Sequence, residues 1–286
     1  YQRRVRGMDK LENYMELKML GRGQSSSVSL VRYKPTEQLF ALKKIFNHKR
    51  DAKHFSEDVI TKHLRHPNII THHASFTHDG HLFVVMDYAN LSSLDTYIKS
   101  DACKSCQDKK AILLQILSGI EYLHSKSVVH RDLKLENVFL NEEGDQIVAK
   151  IGDFGIARTV TDRSRASSLV GSFLYMAPEI VQDQQYGCLC DIWNFGCIFY
   201  YMHTGRFPFP FSNLQEYVNS VSNFAYTKLP DKELQDVLAN TLVEQEKRWP
   251  AARLKTLQYF LSDDAIQMPS IIESDVVPVE RKKCCV

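Results

Sequence analysis

The stretch His130-Arg131-Asp132-Leu133-Lys134-Leu135-Glu136-Asn137 packs a carboxylate, an ammonium and a carboxamide into one short loop, and Asp153-Phe154-Gly155 follows a short strand later. Asp132 can orient a hydroxyl and accept its proton, while the oxygens of Asn137 and Asp153 are hard ligands suited to Mg²⁺. Far upstream, Gly21-Arg22-Gly23-Gln24-Ser25-Ser26-Ser27-Val28 is glycine-rich. A turn of this kind can lay its backbone N–H groups over phosphates, because no Cβ keeps the main chain away. These residue types suit phosphoryl transfer, which asks little covalent work of a protein but requires in-line positioning, charge neutralisation and a proton acceptor.

Such groups act only where the surrounding chain holds them. Apolar residues alternate on both sides of the glycine-rich stretch, from Tyr14 to Leu20 and from Ser29 to Tyr33, which predicts a hairpin. Leu39-Phe40-Ala41-Leu42-Lys43 reads as the next strand. A Lys on a strand inside a cleft needs a partner, because a desolvated unpaired ammonium is too costly. Asp79-Gly80, between Ala74–Thr77 and His81–Met86, is a hairpin signal that completes a small antiparallel sheet. From Lys109 to His124, Ile112, Leu113, Ile116, Leu117, Ile120 and Leu123 recur at helical spacing and predict a core helix with no chemistry of its own. The run Cys197-Ile198-Phe199-Tyr200-Tyr201 belongs to a second, fully buried helix, broken by Gly205 to Pro210.

The ordered set H-R-D-L-K-x-E-N, D-F-G and Ala177-Pro178-Glu179 resembles the catalytic core of eukaryotic protein kinases of the serine/threonine type. The resemblance covers residues 14 to 261 and implies an α+β, two-lobed fold. It assigns residues 14–86 to an N-lobe, a small antiparallel β-sheet with one main helix. A hinge at 87–89 and a larger, mostly helical C-lobe over 90–261 follow, with an N-terminal extension at 1–13 and a flexible tail at 262–286. ATP and Mg²⁺ are implied with it. By resemblance, Leu20, Gly21, Arg22, Gly23, Gln24, Ser25, Ser26, Ser27, Val28 and Ala41 cover the nucleotide, Lys43 grips the α- and β-phosphates, and Glu57, on a helix predicted over Ala52 to Leu64, pairs with Lys43. Met86 guards the back of the adenine pocket, with Asp87 and Ala89 in the hinge. Asp132 is the catalytic carboxylate, Lys134 lies near the γ-phosphate, and Asn137 and Asp153 hold the metal. Glu136 contacts a basic substrate residue, Asp191 supports the catalytic loop, and Arg248 pairs with Glu179.

The sequence departs from the family pattern at several points. Ser26 replaces the third glycine of the turn, and Asn90-Leu91-Ser92-Ser93 stands where many members carry Gly-Gly. Ser93 falls where basic-directed members keep an acidic residue, Ser172 stands for the usual Thr, and Phe173 for the usual Pro. Arg131 implies a pocket neutralised by a phosphate in the activation loop. Ser168 falls on the usual phosphosite, with Ser167 beside it, and a phosphoryl group there brings about −1.5 to −2 charges. Ile156 is of the type associated with threonine acceptors. Protein substrates and an upstream kinase, or a second copy acting in trans, are the partners implied. His81–Tyr88 and Gly152–Arg158 resemble NIMA-related kinases. A pseudokinase scaffold commonly loses Lys43, Asp132 or Asp153, and all three are here; a small-molecule phosphotransferase of related fold lacks the Ala-Pro-Glu segment.

Composition bounds the rest. With 286 residues, 44% of them hydrophobic, the chain can fill a substantial core, and a net charge of +2 gives no global field toward nucleic acid or anionic lipid. No apolar run reaches membrane-spanning length, and Tyr1-Gln2-Arg3-Arg4-Val5-Arg6 lacks the apolar region of a signal peptide, so a cytoplasmic protein is expected. The first residue is Tyr rather than Met, which leaves open that the chain is a fragment. Seven cysteines without a secretory signal read as reduced thiols. Cys103 and Cys106 have no second pair at zinc spacing, and the histidines from His63 to His81 are read as part of a turn and strands rather than a metal cluster. Arg281-Lys282-Lys283-Cys284-Cys285-Val286 is not a CaaX box, yet twin Cys beside a basic run would tether the chain to a membrane if lipidated.

Overall fold

The computed structural model describes residues 7–46, 62–100, 106–144, 146–154, 158–159, 172–209 and 213–261. Five antiparallel strands, β1 (Tyr14–Arg22), β2 (Ser26–Tyr33), β3 (Gln38–Ile45), β4 (His72–His78) and β5 (His81–Asp87), pair in the order β1-β2-β3-β5-β4. The Gly23 amide donates to the Ser26 carbonyl at 2.8 Å, which closes the β1–β2 turn. Asp79 (φ 46°) and Gly80 (φ 75°) are both left-handed, the conformation whose twist matches the strands that an Asp-Gly pair joins.

One face of the sheet buries Tyr14, Val31, Tyr33, Phe40, Leu42, Phe83 and Val85; the other overlooks a cleft. Met8 joins that core, Leu11 packs against it, and the Tyr14 hydroxyl donates to the Met8 carbonyl at 2.7 Å. The segment read as an N-terminal extension thus covers the sheet over its described part. The helix predicted over Ala52 to Leu64, and Glu57 with it, lies outside the described residues except for Lys62 and His63, which form a turn, and the buried Leu64.

The second lobe holds α1 (Leu94–Lys99), α2 (Cys106–Ser125), the ribbon β7 (Val138–Glu143)–β8 (Gln146–Ile151) and the short pair β6 (Val128–Val129)–β9 (Arg158–Thr159). Helices α3 (Pro178–Val181), α4 (Leu189–Thr204), α5 (Leu214–Ser222), α6 (Lys232–Ala239), α7 (Ala251–Leu254) and α8 (Gln258–Leu261) follow. All six periodic residues of α2 are buried. Gly119 lets β8 lie close to this helix, since a Cβ there would stand 2.9 Å from both Asn68 O and Ile151 Cδ1. Helix α4 is buried without interruption from Cys190 to Tyr200 and packs on all sides, as its apolar run predicts. It stops at Gly205, whose left-handed backbone (φ 68°) returns its N–H to the Tyr201 carbonyl.

Candidate active site

Strand β6 delivers the chain to His130, and the loop that follows hangs from one buried carboxylate. Asp191, in the first turn of α4 and 0% exposed, accepts the amides of His130 and Arg131, each at 2.9 Å, one on each oxygen. His124, at the end of α2, bonds the same carboxylate at 2.9 Å. Burial pushes the Asp191 carboxyl up, but the hydrogen bond and charge of His124 with the amide donors outweigh it and hold the group below its usual range. Arg131, with its backbone left-handed at φ 69°, lays its guanidinium 5.2 Å from the centre of the Tyr186 ring. His130 accepts the Asp132 amide at Nδ1 (3.3 Å) and faces the Gly152 carbonyl through Nε2 (3.0 Å), a pattern that assigns the proton to Nε2. Its ring packs on Phe154.

The side chains read from sequence as chemistry-bearing gather around this loop. Lys134 Nζ donates to Asp132 Oδ2 at 2.7 Å. Asn137, buried, donates through Nδ2 to the Asp132 carbonyl (2.8 Å) and to Oδ2 (3.1 Å), which turns its amide oxygen away from Asp132. The Gly152 amide donates to the Asn137 carbonyl at 2.9 Å, so the segment carrying Asp153 runs beside the loop. A Cβ on Gly152 would lie 2.7 Å from Ile70, hence the glycine. Asp153 has a left-handed backbone (φ 58°), and its Oδ1 accepts from Lys43 Nζ at 2.9 Å. The Lys43 ammonium holds the Asp153 carboxyl below its ordinary range against the opposing effect of burial. Lys43 keeps 14% side-chain exposure and Asp153 49%, so the pair opens into the cleft.

The cleft has a volume of about 620 Å³. Leu20, Gly21, Ser26, Val28, Ala41 and Lys43 line it from the sheet, Met86 and Asp87 from the end of β5, Ala89 from the segment that follows, and Asp153 from below. Arg22, Gly23, Gln24, Ser25 and Ser27 belong to β1, the turn and β2 without lining it. Glu57, Ser167 and Ser168 lie outside the described residues. Glu179 and Arg248 meet away from the cleft in a two-pronged pair, Nη1–Oε1 2.5 Å and Nη2–Oε2 2.7 Å, both buried. The profile of the family described as protein kinase domain matches residues 14–264. The chain belongs to the protein kinase family.

Curated relatives are similar over much of this kinase. Serine/threonine-protein kinase Nek8 of Danio rerio is 33% identical over 242 residues, 81% of the chain and 34% of the relative. Serine/threonine-protein kinase Nek5 of Mus musculus is 32% identical over 211 residues, 73% of the chain and 33% of the relative. Mitogen-activated protein kinase kinase 2 of Arabidopsis thaliana is 34% identical over 210 residues, 72% of the chain and 57% of the relative. The chain spans about a third of the length of the two Nek relatives.

The place of Phe139, the capping bond of Ser93 and the anchoring bond of His124 escaped the sequence reading. Phe139 lines the floor, and the signal was there: it is the apolar residue two places after Asn137, on a strand of alternating pattern. Ser93, noted for the missing acidic group, has a local task, because its Oγ accepts the Thr96 amide at 3.3 Å and caps α1. His124 is the anchor at the end of a helix predicted to have no chemistry.

Proposed function

We propose that this chain is an ATP-dependent serine/threonine protein kinase that transfers the γ-phosphate of Mg-ATP to hydroxyls of protein substrates. The observation that carries the reading is the Lys43–Asp153 pair lining one open cleft, with the bonded set Asp132, Lys134 and Asn137 held beside the Asp153 segment through the Gly152–Asn137 backbone bond. Lys134 and Asn137 fix the orientation of the Asp132 carboxylate, which takes the proton of the acceptor hydroxyl. The Lys43 ammonium and the backbone N–H groups of the glycine-rich turn offset phosphate charge. Glu136, exposed at the rim of the cleft, suits a basic residue in the substrate.

The donors suit Mg²⁺. Among the described residues no group of three or more His, Cys, Asp and Glu side chains is placed to hold a metal ion, and Mg²⁺ commonly takes one or two carboxylates with substrate phosphates rather than a closed protein cage. Asp153, kept ionised by Lys43, and the amide oxygen of Asn137 are the groups that would hold it. When bound, the ion would offset the negative charge that develops on the transferred phosphoryl group.

The same proposal includes control through the activation loop: phosphorylation of Ser168, by an upstream kinase or a second copy in trans, brings charge to Arg131. It also takes the enzyme as cytoplasmic, with a membrane tether only through lipid on Cys284 or Cys285. The test is transfer of γ-phosphate to a mixed peptide library, with the peptide profile reading the acceptor. Ser168→Ala protein is expected to lose most of its activity, and undiminished turnover removes that part of the proposal.

A further inference from the structure

The first turns of the buried helix α4 carry two polar side chains on one face, three residues apart. Asp191 holds the amides of His130 and Arg131. Asn194, 3% exposed, lies one turn further on and donates through Nδ2 to the Tyr175 carbonyl at 2.5 Å. Its Oδ1 is buried and meets no donor among the described residues. An amide oxygen left unpaired in a core costs stability, so the group is not there for the sake of the core. What it supplies is the donor for Tyr175. In Asp191-Ile192-Trp193-Asn194-Phe195-Gly196, which resembles the kinase pattern D-x-W-S-x-G, Asn194 stands in place of the serine.

Tyr175 carries the connection onward. It is 3% exposed, and its hydroxyl accepts the amide of Leu135, which lies between Asp132 and Asn137, at 3.4 Å. The Met176 amide donates to the Phe173 carbonyl at 3.0 Å, so residues 173–176 form one turn, in which Phe173 and Leu174 are half-buried. Just beyond it the chain is pinned by the buried Glu179–Arg248 pair. One turn of α4, about 5.4 Å, thus spaces two hangers, Asp191 for the loop that carries Asp132 and Asn194 for the turn that borders it. Among the described residues lining the cleft, none comes from 173–176. The turn therefore bears on what reaches Asp132 from outside the cleft, which in the kinase reading is the protein substrate.

We propose that Asn194 is a positioning residue that fixes the turn 173–176 beside Asp132 through the Tyr175 carbonyl and thereby selects the side chains that flank the acceptor hydroxyl. The inference rests on the reading of the chain as a kinase acting on protein hydroxyls. Without the Asn194 bond the turn keeps its anchor at Glu179 but loses its register with the loop. Substrate is then held less well and with less discrimination, while the nucleotide cleft is untouched.

The test is steady-state transfer of γ-phosphate by the full chain to a peptide chosen from its own library profile, with ATP and peptide varied in turn. Asn194→Ser, whose side chain is one bond shorter, is expected to raise the peptide KM roughly tenfold, with kcat and the ATP KM within about twofold. The library profile is expected to flatten at the residues beside the acceptor. Tyr175→Phe cuts the link at its other end; it is expected to move the same constants in the same direction and gives a second route if Asn194→Ser folds poorly. Folded Asn194→Ser protein with the wild-type peptide KM and profile, or with ATP and peptide KM raised together, overturns the role of Asn194 and leaves the kinase reading standing. A wild-type chain that phosphorylates no peptide overturns both.

Discussion

Beneath the cleft, polar groups are buried and paired, whereas above it strand β1 is mostly bare. Asp191 is 0% exposed, Arg248 3% and Glu179 4%, each with its hydrogen-bond partners in place. Strand β1 buries only Tyr14 of its nine residues, and Met15, Leu17, Met19 and Leu20 are 40–48% exposed. The difference separates two tasks. The groups bonded around the His130–Asn137 loop hang from the buried core, while the glycine-rich turn belongs to a hairpin whose first strand buries little.

Cutting a buried tie in the floor should break the contrast most severely. Arg248→Ala leaves the Glu179 carboxylate buried without its two-pronged partner and is expected to cost about 3–5 kcal/mol, read as a shift of the urea midpoint. A cost below about 1 kcal/mol would mean the floor is looser than its geometry indicates.

Acid should find the same floor next. His203, on α4 and 5% exposed, bonds the Phe199 carbonyl and the Tyr259 hydroxyl, and burial pushes its pKa down from 6.5 to about 4. Below pH 6.5 the unfolded chain takes up a proton that the folded chain refuses until about pH 4, so stability falls across that interval and is unaffected above it. At pH 5 the loss is about 2 kcal/mol, and His203→Gln is expected to flatten the dependence in unfolding curves at pH 7.5 and 5.

The roof should respond least. Ser26, paired with Ile45 at the start of β2, is replaced by glycine at an expected cost of about 0.5–1 kcal/mol from chain entropy, with turnover nearly unchanged. A large drop in thermal midpoint would show that the turn supports the core after all.

The two regions also differed in how far their residues were legible. Local patterns carried the Asp79-Gly80 turn, the six buried positions of α2 and the apolar α4, because each depends on neighbours in sequence. The motif residues were readable in type and spacing, but their bonding was not. Lys43 meets Asp153 across 110 residues, and Asp87 meets Lys150 across 63. Periodicity says nothing about such contacts. His124 was passed over because its helix was judged by its apolar face, although its last turn projects toward Asp191. Met8 was set outside the domain because a single apolar residue before the first strand has no pattern to announce that Tyr14 will hold it.

The central claim is that the Lys43–Asp153 pair opening into the cleft belongs to a working phosphotransfer site. Its most direct test is the initial rate of γ-phosphate transfer to peptide by wild-type chain and by Asp153→Asn, measured beside their thermal midpoints. The account predicts transfer by the wild type and a loss of about 10²–10⁴-fold in Asp153→Asn with the fold retained. Equal transfer by the two proteins would contradict it.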